Sequence, residues 1–228
     1  MTDQELNRSL VSPRDRFGNR VRKNLSAATM QERVVESDTR ALADTYTRLA
    51  ETGAAQQAAA LVLGARRRFI AGEGKSAAYA LLLATDLSAT LSGIHLIEGR
   101  ALTLIVALTD VRETDVLIVF AMRRYSADVI RLGRLFHEAG GQLIVITDSE
   151  TAPLVELANV VITVDTGSAS YADSPTPVAA VAHLLSTLIS ASAKGARRRL
   201  TERDRLAQEL GLYAPEDEAP EDEAPDED

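Results

Sequence analysis

Hydrophobic residues occur in five short, continuous runs between positions 68 and 164. The runs occupy residues 68–71, 94–97, 116–120, 143–146 and 160–164, and branched aliphatic side chains dominate them. A strand buried on both faces needs apolar residues at every position, whereas a strand with one wet face alternates. The runs therefore predict five strands in the interior of one parallel sheet.

Helical periodicity fills the intervals between these runs. Helices are predicted over 76–91, 126–139, 151–158 and 176–199, whereas 101–109 fits a strand or a helix. Alternating strands and helices predict right-handed crossovers and an α/β fold whose parallel sheet is covered on both faces. The apolar stripes consist of Val129, Leu132, Gly133 and Phe136 in the second helix and of Val178, Val181, Leu185 and Leu188 in the last.

Two further helices precede the first strand. Thr29 and Glu32 have the spacing of a capping box, which predicts that ordered structure begins at position 29. Gly53 ends this helix, and an Ala-rich helix follows over 54–63 and ends at Gly64. At the other end, Thr201 and Asp204 are candidate caps of a short helix within 201–213. The first helix is expected to bury Val35, Leu42, Tyr46 and Leu49.

Charge separates both ends of the chain from its body. Residues 1–28 form a polar arm with five basic residues, and 214–228 repeat Ala-Pro-acid and hold nine of the 33 acidic residues. Without those nine, 25 basic residues face 24 acidic ones, so the net charge of −8 belongs to the tail. We expect a flexible basic arm, a domain over 29–200 and a disordered acidic tail.

Composition excludes several classes of function. The chain of 228 residues has no Cys, which rules out disulfides, thiolate metal sites and cysteine nucleophiles. Its apolar stretches are too short for a membrane span, and residues 1–10 lack a signal-peptide core. No metal-ligand spacing or cofactor motif occurs. The sequence predicts a cytoplasmic protein without a metal or cofactor.

The loop after the first predicted strand is a candidate anion site. Gly72 and Gly74 permit a tight turn, and Ser76 opens a helix whose first amides can bind a phosphate. Lys75 adds a positive charge beside them. A glycine turn that serves only packing remains the alternative at this point.

Polar residues also follow the third and fourth predicted strands. Arg123 and Arg124 suit bidentate recognition of a phosphate or carboxylate, although either could instead pair with Asp110 or Asp128. Ligands of open parallel sheets bind beyond the carboxyl ends of the strands, where these groups should meet. Ser149 could equally cap a helix. The remaining candidates at this edge are Ser126, Thr147 and Asp148.

The motifs GEGKS, FAMRRYSADV and GGQLIVITDSETAPLVELANVVITV, in this order after helical lead-in segments, resemble the sugar isomerase (SIS) domain. The resemblance covers residues 30–195 and is closest to the effector-binding half of RpiR/MurR-type transcriptional regulators. It implies a flavodoxin-like αβα sandwich of five parallel strands, which is usually dimeric and binds phosphosugars at the strand ends.

The resemblance carries over to individual residues only in part. Gly72, Gly74 and Ser76 match the first loop of the family, and Ser174 matches a position near its site. The family's S-x-S-G-x-T after the third strand is replaced, and only Ser126 keeps a hydroxyl there. Residues 1–28 are too few for the three DNA-binding helices of such regulators, so direct DNA binding would need another subunit.

Three functions remain open from the sequence. The first is a dimeric, non-catalytic sensor of a phosphorylated sugar or a similar small anion. The second is an aldose–ketose isomerase, in which Glu98 or Glu73 would be the base and His183 a further candidate. The third is a ligand-independent dimerisation scaffold. The lead-in helices and the last helix are the expected dimer contacts.

Overall fold

The computed structural model describes residues 26–97, 105 and 107–213. Most of the predicted arm, the acidic tail and Glu98 lie outside these residues. The elements are α1 (Ala27–Thr52), α2 (Ala54–Gly64), β1 (Arg68–Gly72), α3 (Lys75–Thr90), β2 (Ile94–Ile97), β3 (Val116–Ala121), α4 (Ala127–Glu138), β4 (Gln142–Thr147), a 3₁₀ turn (Val155–Leu157), β5 (Val160–Thr163), α5 (Thr176–Ser192) and α6 (Ala196–Glu209).

The five strands form one parallel sheet in the order β2-β1-β3-β4-β5. In the register of β3, Phe120 lies beside Gly72 of β1 and Ala121 beside Thr147 of β4. The carboxyl ends of the three central strands therefore meet at one edge. This confirms the predicted α/β class, the five strands and their parallel arrangement.

The sheet separates two hydrophobic clusters, and β3 contributes to both. Ile118 and Phe120 point to the side covered by α2, α3 and α5, whereas Leu117 and Val119 point to the side covered by α4. All six residues of β3 are buried. Alternate side chains of one strand thus fill two cores, which is the three-layer αβα arrangement that the apolar runs predict.

The edge strands are less buried than the apolar runs predict. In β2, only Ile97 is buried, and the exposed His95 stacks on Phe69 with 5.1 Å between the ring centroids. The reason is topological, since β2 pairs with β1 alone and β5 with β4 alone. The expectation of burial on both faces is therefore correct for the central strands and wrong for the edges.

The predicted helix over 151–158 is wrong. Only a 3₁₀ turn forms at Val155–Leu157, and Leu154 before it has a left-handed backbone with φ of 80°. Pro153 also lies inside the predicted segment, and proline has no backbone N–H to donate to a helical hydrogen bond. Helical structure in the ambiguous 101–109 segment is seen at 107–109.

The predicted last helix is two helices. α5 ends at Ser192, and Gly195, with φ of 81°, precedes α6. The inward positions are confirmed for Val178, Val181 and Leu185, which are fully buried. Thr201 lies inside α6, where its hydroxyl donates to the carbonyl of Arg197, so the prediction that it caps a helix is wrong.

The first helix also differs from the prediction. Ser26, rather than Thr29, is its N-cap, and the Ser26 Oγ accepts a hydrogen bond from the Thr29 amide at 3.2 Å. The buried side chains of α1 are Ala41, Thr45 and Leu49, whereas Val35 is 58% and Tyr46 41% exposed. Gly53 ends α1 in a left-handed conformation, as predicted.

A buried ion cluster lies at the amino end of the sheet, opposite to the candidate site. Asp115, which is fully buried, accepts hydrogen bonds from the guanidinium groups of Arg66 and Arg67 and from the amide of Arg112. Burial alone would raise the pKa of this carboxyl, but these donors outweigh burial and hold the pKa well below its usual value. The cluster joins the α2–β1 connection to the start of β3.

Among the described residues, no single helix is long and apolar enough to cross a membrane, and α5 and α6 reach that length and composition only together, across a bend of 108°.

Candidate functional site

A cavity of about 260 Å³ opens at the carboxyl edge of the sheet, where the ends of β1 and β3 meet the segment after β5. It combines three cationic side chains, two carboxylates and several hydroxyls. Its lining residues are Glu73, Gly74, Lys75, Ser76, Tyr79, Met122, Arg123, Arg124, Thr166, Asp173, Ser174 and Val178.

The turn between β1 and α3 forms the floor of the cavity. Gly72 packs directly against α3, since a Cβ there would lie 2.4 Å from the carbonyl oxygen of Ser76. Gly74 has φ of 58°, a conformation that glycine adopts without strain, and it precedes the first residue of α3. Ser76 is buried in the first helical turn. A helix N-terminus with a hydroxyl favours an anion here.

The three cations of the cavity are held differently. Lys75 donates from Nζ to the backbone carbonyl of Asp173, so its charge spans the cavity. Arg123 donates from Nε to Asp148 at 3.2 Å. Arg124 is exposed and has no hydrogen-bond or ion-pair partner in the part of the chain that the structure describes. Arg124 is therefore the cation that can pair with a ligand without breaking an existing contact.

Asp148 organises the loop after β3 from behind. Its Oδ1 accepts hydrogen bonds from the Arg123 amide at 3.2 Å and from the Tyr125 hydroxyl at 3.1 Å, and its side chain is only 2% exposed. Burial, with the charge of Asp148 next, raises the pKa of Tyr125 to about 12. The phenol stays protonated at neutral pH and keeps donating to Asp148.

Glu73 is the carboxylate nearest to the loop after β3. The Ser126 hydroxyl donates to Glu73 Oε2 and also accepts from the Val129 amide as the N-cap of α4. Ser126 thereby links the first and third strand-end loops. Its hydroxyl is shared between a cap and a carboxylate, and it is not part of the cavity lining.

The segment after β5 forms the third wall. Ser174 is buried, its amide donates to the carbonyl of Thr166 at 3.0 Å, and its hydroxyl accepts from the Thr176 amide. Tyr79 of α3 faces the same segment, and burial, with Asp173 next, raises its pKa to about 12. A protonated phenol thus lines the cavity at neutral pH.

Seven of the residues predicted for ligand binding or catalysis line one cavity: Glu73, Gly74, Lys75, Ser76, Arg123, Arg124 and Ser174. Five others lie near it without lining it: Gly72, Ser126, Thr147, Asp148 and Ser149. Ser149 accepts from the Thr151 amide in a local turn, so it caps a turn and not a helix. His183 is exposed on α5 and does not line the cavity.

In the part of the chain that the structure describes, no three His, Asp or Glu side chains cluster in a way that could hold a metal ion.

The sequence profile of the SIS domain matches residues 61–193, more than half of the chain. The chain belongs to the SIS domain family. This confirms the resemblance drawn from GEGKS and FAMRRYSADV, and it places the cavity at the strand ends of an SIS domain. No curated protein sequence matches the chain.

Solved structures agree with this assignment. The sugar isomerase domain of the RpiR transcription factor from Sphaerobacter thermophilus is 27% identical, covers 77% of this chain and 98% of its own, and superposes with a TM-score of 0.72. The Vibrio vulnificus NanR protein, complexed with ManNAc-6P, is 16% identical over 86% of this chain and 73% of its own, with a TM-score of 0.66.

A protein of Escherichia coli CFT073, in complex with arabinose 5-phosphate, shares the fold at 18% identity. It covers 84% of this chain and all of its own length, with a TM-score of 0.55. The SIS fold of the present chain is thus similar to domains of regulators and to a protein that holds a pentose phosphate.

Sequence reasoning missed five lining residues of this SIS domain: Tyr79, Met122, Thr166, Asp173 and Val178. Two of them could have been found. Tyr79 lies one helical turn after Ser76, and Asp173 directly precedes Ser174. The others had no signal, because Thr166 is brought to the cavity by a hydrogen bond within an irregular segment.

Proposed function

We propose that the chain is a sensor module that binds a phosphorylated sugar or a related small anion in the cavity at the strand ends. The observation that carries this proposal is the unpaired Arg124 guanidinium, which lines the cavity together with Lys75 and the first turn of α3. A phosphate placed among them would gain charge-assisted hydrogen bonds, and its cost of burial is low because Arg124 loses no partner.

The other walls of the cavity suit the sugar. Glu73 and Asp173 can accept hydrogen bonds from sugar hydroxyls, and Ser76 and the Tyr79 phenol can donate them. The complexes of NanR with ManNAc-6P and of the E. coli protein with arabinose 5-phosphate support this ligand class. The module would act as a cytoplasmic homodimer, and it would reach DNA only through another subunit.

An aldose–ketose isomerase is the alternative that one observation favours. Glu73 is a carboxylate in the cavity lining, which is where the proton-transferring base of such a reaction must lie. Its Oε2 is engaged by the Ser126 hydroxyl, and His183 lies outside the lining. We therefore place the sensor first, the isomerase second and a scaffold without a ligand third.

A thermal-shift screen tests the proposal. Sugar phosphates, amino-sugar phosphates, the free sugars and inorganic phosphate are compared for a concentration-dependent rise in melting temperature. Arg124→Ala and Ser76→Ala should reduce the shift caused by a phosphorylated sugar. Arg134→Ala is the matched control, because Arg134 is exposed on α4 and does not line the cavity.

Two outcomes contradict the sensor. The absence of a shift with every phosphorylated compound would leave the scaffold, and an undiminished shift in Arg124→Ala and Ser76→Ala would place the ligand elsewhere. Exchange of the C2 hydrogen of a bound sugar phosphate with D₂O, lost in Glu73→Gln, would favour the isomerase.

A further inference from the structure

The segment 164–176 after β5 carries Thr166, Asp173 and Ser174 of the cavity, and α1 holds it from outside. The amide of Asp165 donates to Thr45 Oγ1 at 3.0 Å, and the amide of Ala169 donates to Ser37 Oγ at 3.1 Å. Two backbone groups of an irregular segment thus find their acceptors on hydroxyls of a helix more than a hundred residues away in sequence.

A third polar contact joins the same two parts of the chain. The Thr176 hydroxyl at the start of α5 donates to Asp38 Oδ2 at 3.1 Å. The other oxygen of this carboxylate, Oδ1, is buried and has no hydrogen-bond partner among residues 26–97, 105 and 107–213. A buried acceptor without a donor costs free energy, so this contact stabilises the docked helix less than a fully bonded carboxylate would.

The apolar attachment of α1 is narrow. Over its 26 residues, the buried side chains are Ala41, Thr45 and Leu49, and one of these is polar. Arg48 pairs with Glu150 after β4, but both partners are largely exposed, and such a pair contributes little. The hydroxyls of Ser37 and Thr45 therefore supply a large share of what holds α1 against the rim of the cavity.

We infer that Ser37, Asp38 and Thr45 are positioning residues of the ligand cavity, and that ligand binding and the docking of α1 are coupled. The inference rests on the proposed function and names a means of regulating that site. A ligand that contacts Ser174 or Asp173 fixes the segment whose amides bond to α1, so it stabilises the docked helix. By linkage, anything that holds α1 in place strengthens ligand binding by the same factor.

Hydrogen–deuterium exchange with glucose 6-phosphate and with inorganic phosphate tests this coupling on the full chain. In the wild type, the ligand should slow exchange at the start of α3, which lines the cavity, and also at residues 37–49 of α1, which do not. In the double variant Ser37→Ala/Thr45→Val, protection of α3 should remain, protection of α1 should be lost, and the Kd should rise about fivefold.

Thr47→Val is the matched control, because Thr47 is exposed on the same helix and should behave as the wild type. Ligand-dependent protection of α1 that persists in the double variant would overturn the inference. Protection at α3 without any at α1 in the wild type would overturn it as well.

A failure of the proposed function is distinguishable. If neither probe protects α3, the ligand assignment fails for these compounds, and the free protein decides the positioning role. The double variant should then show faster exchange at 165–176 than the wild type and Thr47→Val. Equal exchange in the three proteins would refute the role of Ser37 and Thr45.

Discussion

At the scale of residues, Asp115 is the side chain whose charge matters most for stability. Asp115→Asn removes the negative charge that Arg66 and Arg67 share while keeping the size of the side chain. We expect a loss of about 3 kcal/mol in the free energy of unfolding, because a fully buried acceptor of charged donors is weakened. Urea denaturation at pH 7 measures it.

The same substitution should change the dependence of stability on acid. The folded pKa of Asp115 lies below the ordinary value of 3.8, so the carboxylate contributes stability above that pH and loses the contribution as the pH falls through and below 3.8. The decline should be shallower in Asp115→Asn. Asp128→Asn, at an exposed pair with Arg131, is the control, and an equal decline there would contradict the assignment.

Adjacent arginines in one loop have different tasks, and the sequence could not separate them. Arg123 and Arg124 are equivalent by position and chemistry, and pairing with Asp110 or Asp128 was the alternative to ligand binding. The structure pairs Arg123 with Asp148, a residue of the next strand's loop. Which arginine is free depends on a contact across 25 residues, which no local pattern encodes.

At the scale of elements, Arg68 joins a strand to the end of a helix. It is buried at the first position of β1, and its guanidinium donates to the carbonyls of Val62 at 2.6 Å and Leu63 at 3.3 Å in the last turn of α2 and of Ser92 at 3.1 Å. Burial lowers the pKa of this guanidinium. Helix ends leave such carbonyls without partners, and Arg68 supplies the donors.

Arg68→Met keeps the apolar stem and removes these donors. We expect the free energy of unfolding to fall by about 2 kcal/mol, with faster amide exchange concentrated in the last turn of α2. Arg134→Met on the exposed face of α4 is the control and should change little. A uniform loss of protection across the sheet, without a focus at α2, would contradict the capping role.

The strands were the most predictable elements. β2 starts and ends where its apolar run does, and β1, β3 and β4 differ from theirs by one residue at an end. Central parallel strands need apolar residues on both faces, so their burial is written continuously into the sequence. Their order in the sheet and the depth of the edge strands depend on pairing, which a single run does not reveal.

Helix faces were less predictable. Position-by-position hydrophobicity favoured Val35 and Tyr46 as the buried face of α1, whereas the structure buries Ala41 and Thr45. Thr45 is buried because its hydroxyl donates to the carbonyl of Ala41 at 2.8 Å and accepts from the segment after β5. A polar side chain that is satisfied by distant backbone cannot be distinguished from a surface threonine by periodicity.

At the scale of the whole molecule, the exposed apolar side chains of α1 fit the expected homodimer. Val35 and Tyr46 face away from their own domain. Light scattering should give about twice the chain mass of 24.5 kDa, and Val35→Glu/Tyr46→Glu should reduce it to one chain mass, because a second copy would have to bury these charges.

Leu135→Glu is the matched control for this variant. Leu135 is 42% exposed on α4, a helix outside the expected contact surface, so its substitution should leave the mass unchanged. A wild-type protein with the mass of a single chain would refute the dimer. A double variant that stays dimeric would place the contact on another face.

The packing of the lead-in helices has a consequence for how the chain is synthesised. α1 and α2 leave the ribosome first, yet they pack against α5 and β5, which are translated last. Until residue 192 has emerged, the Ala-rich face of α2 has no native surface to cover it. A transcript truncated before α5 would therefore release a chain whose earliest helices remain uncovered, and such chains are substrates for chaperones and proteases.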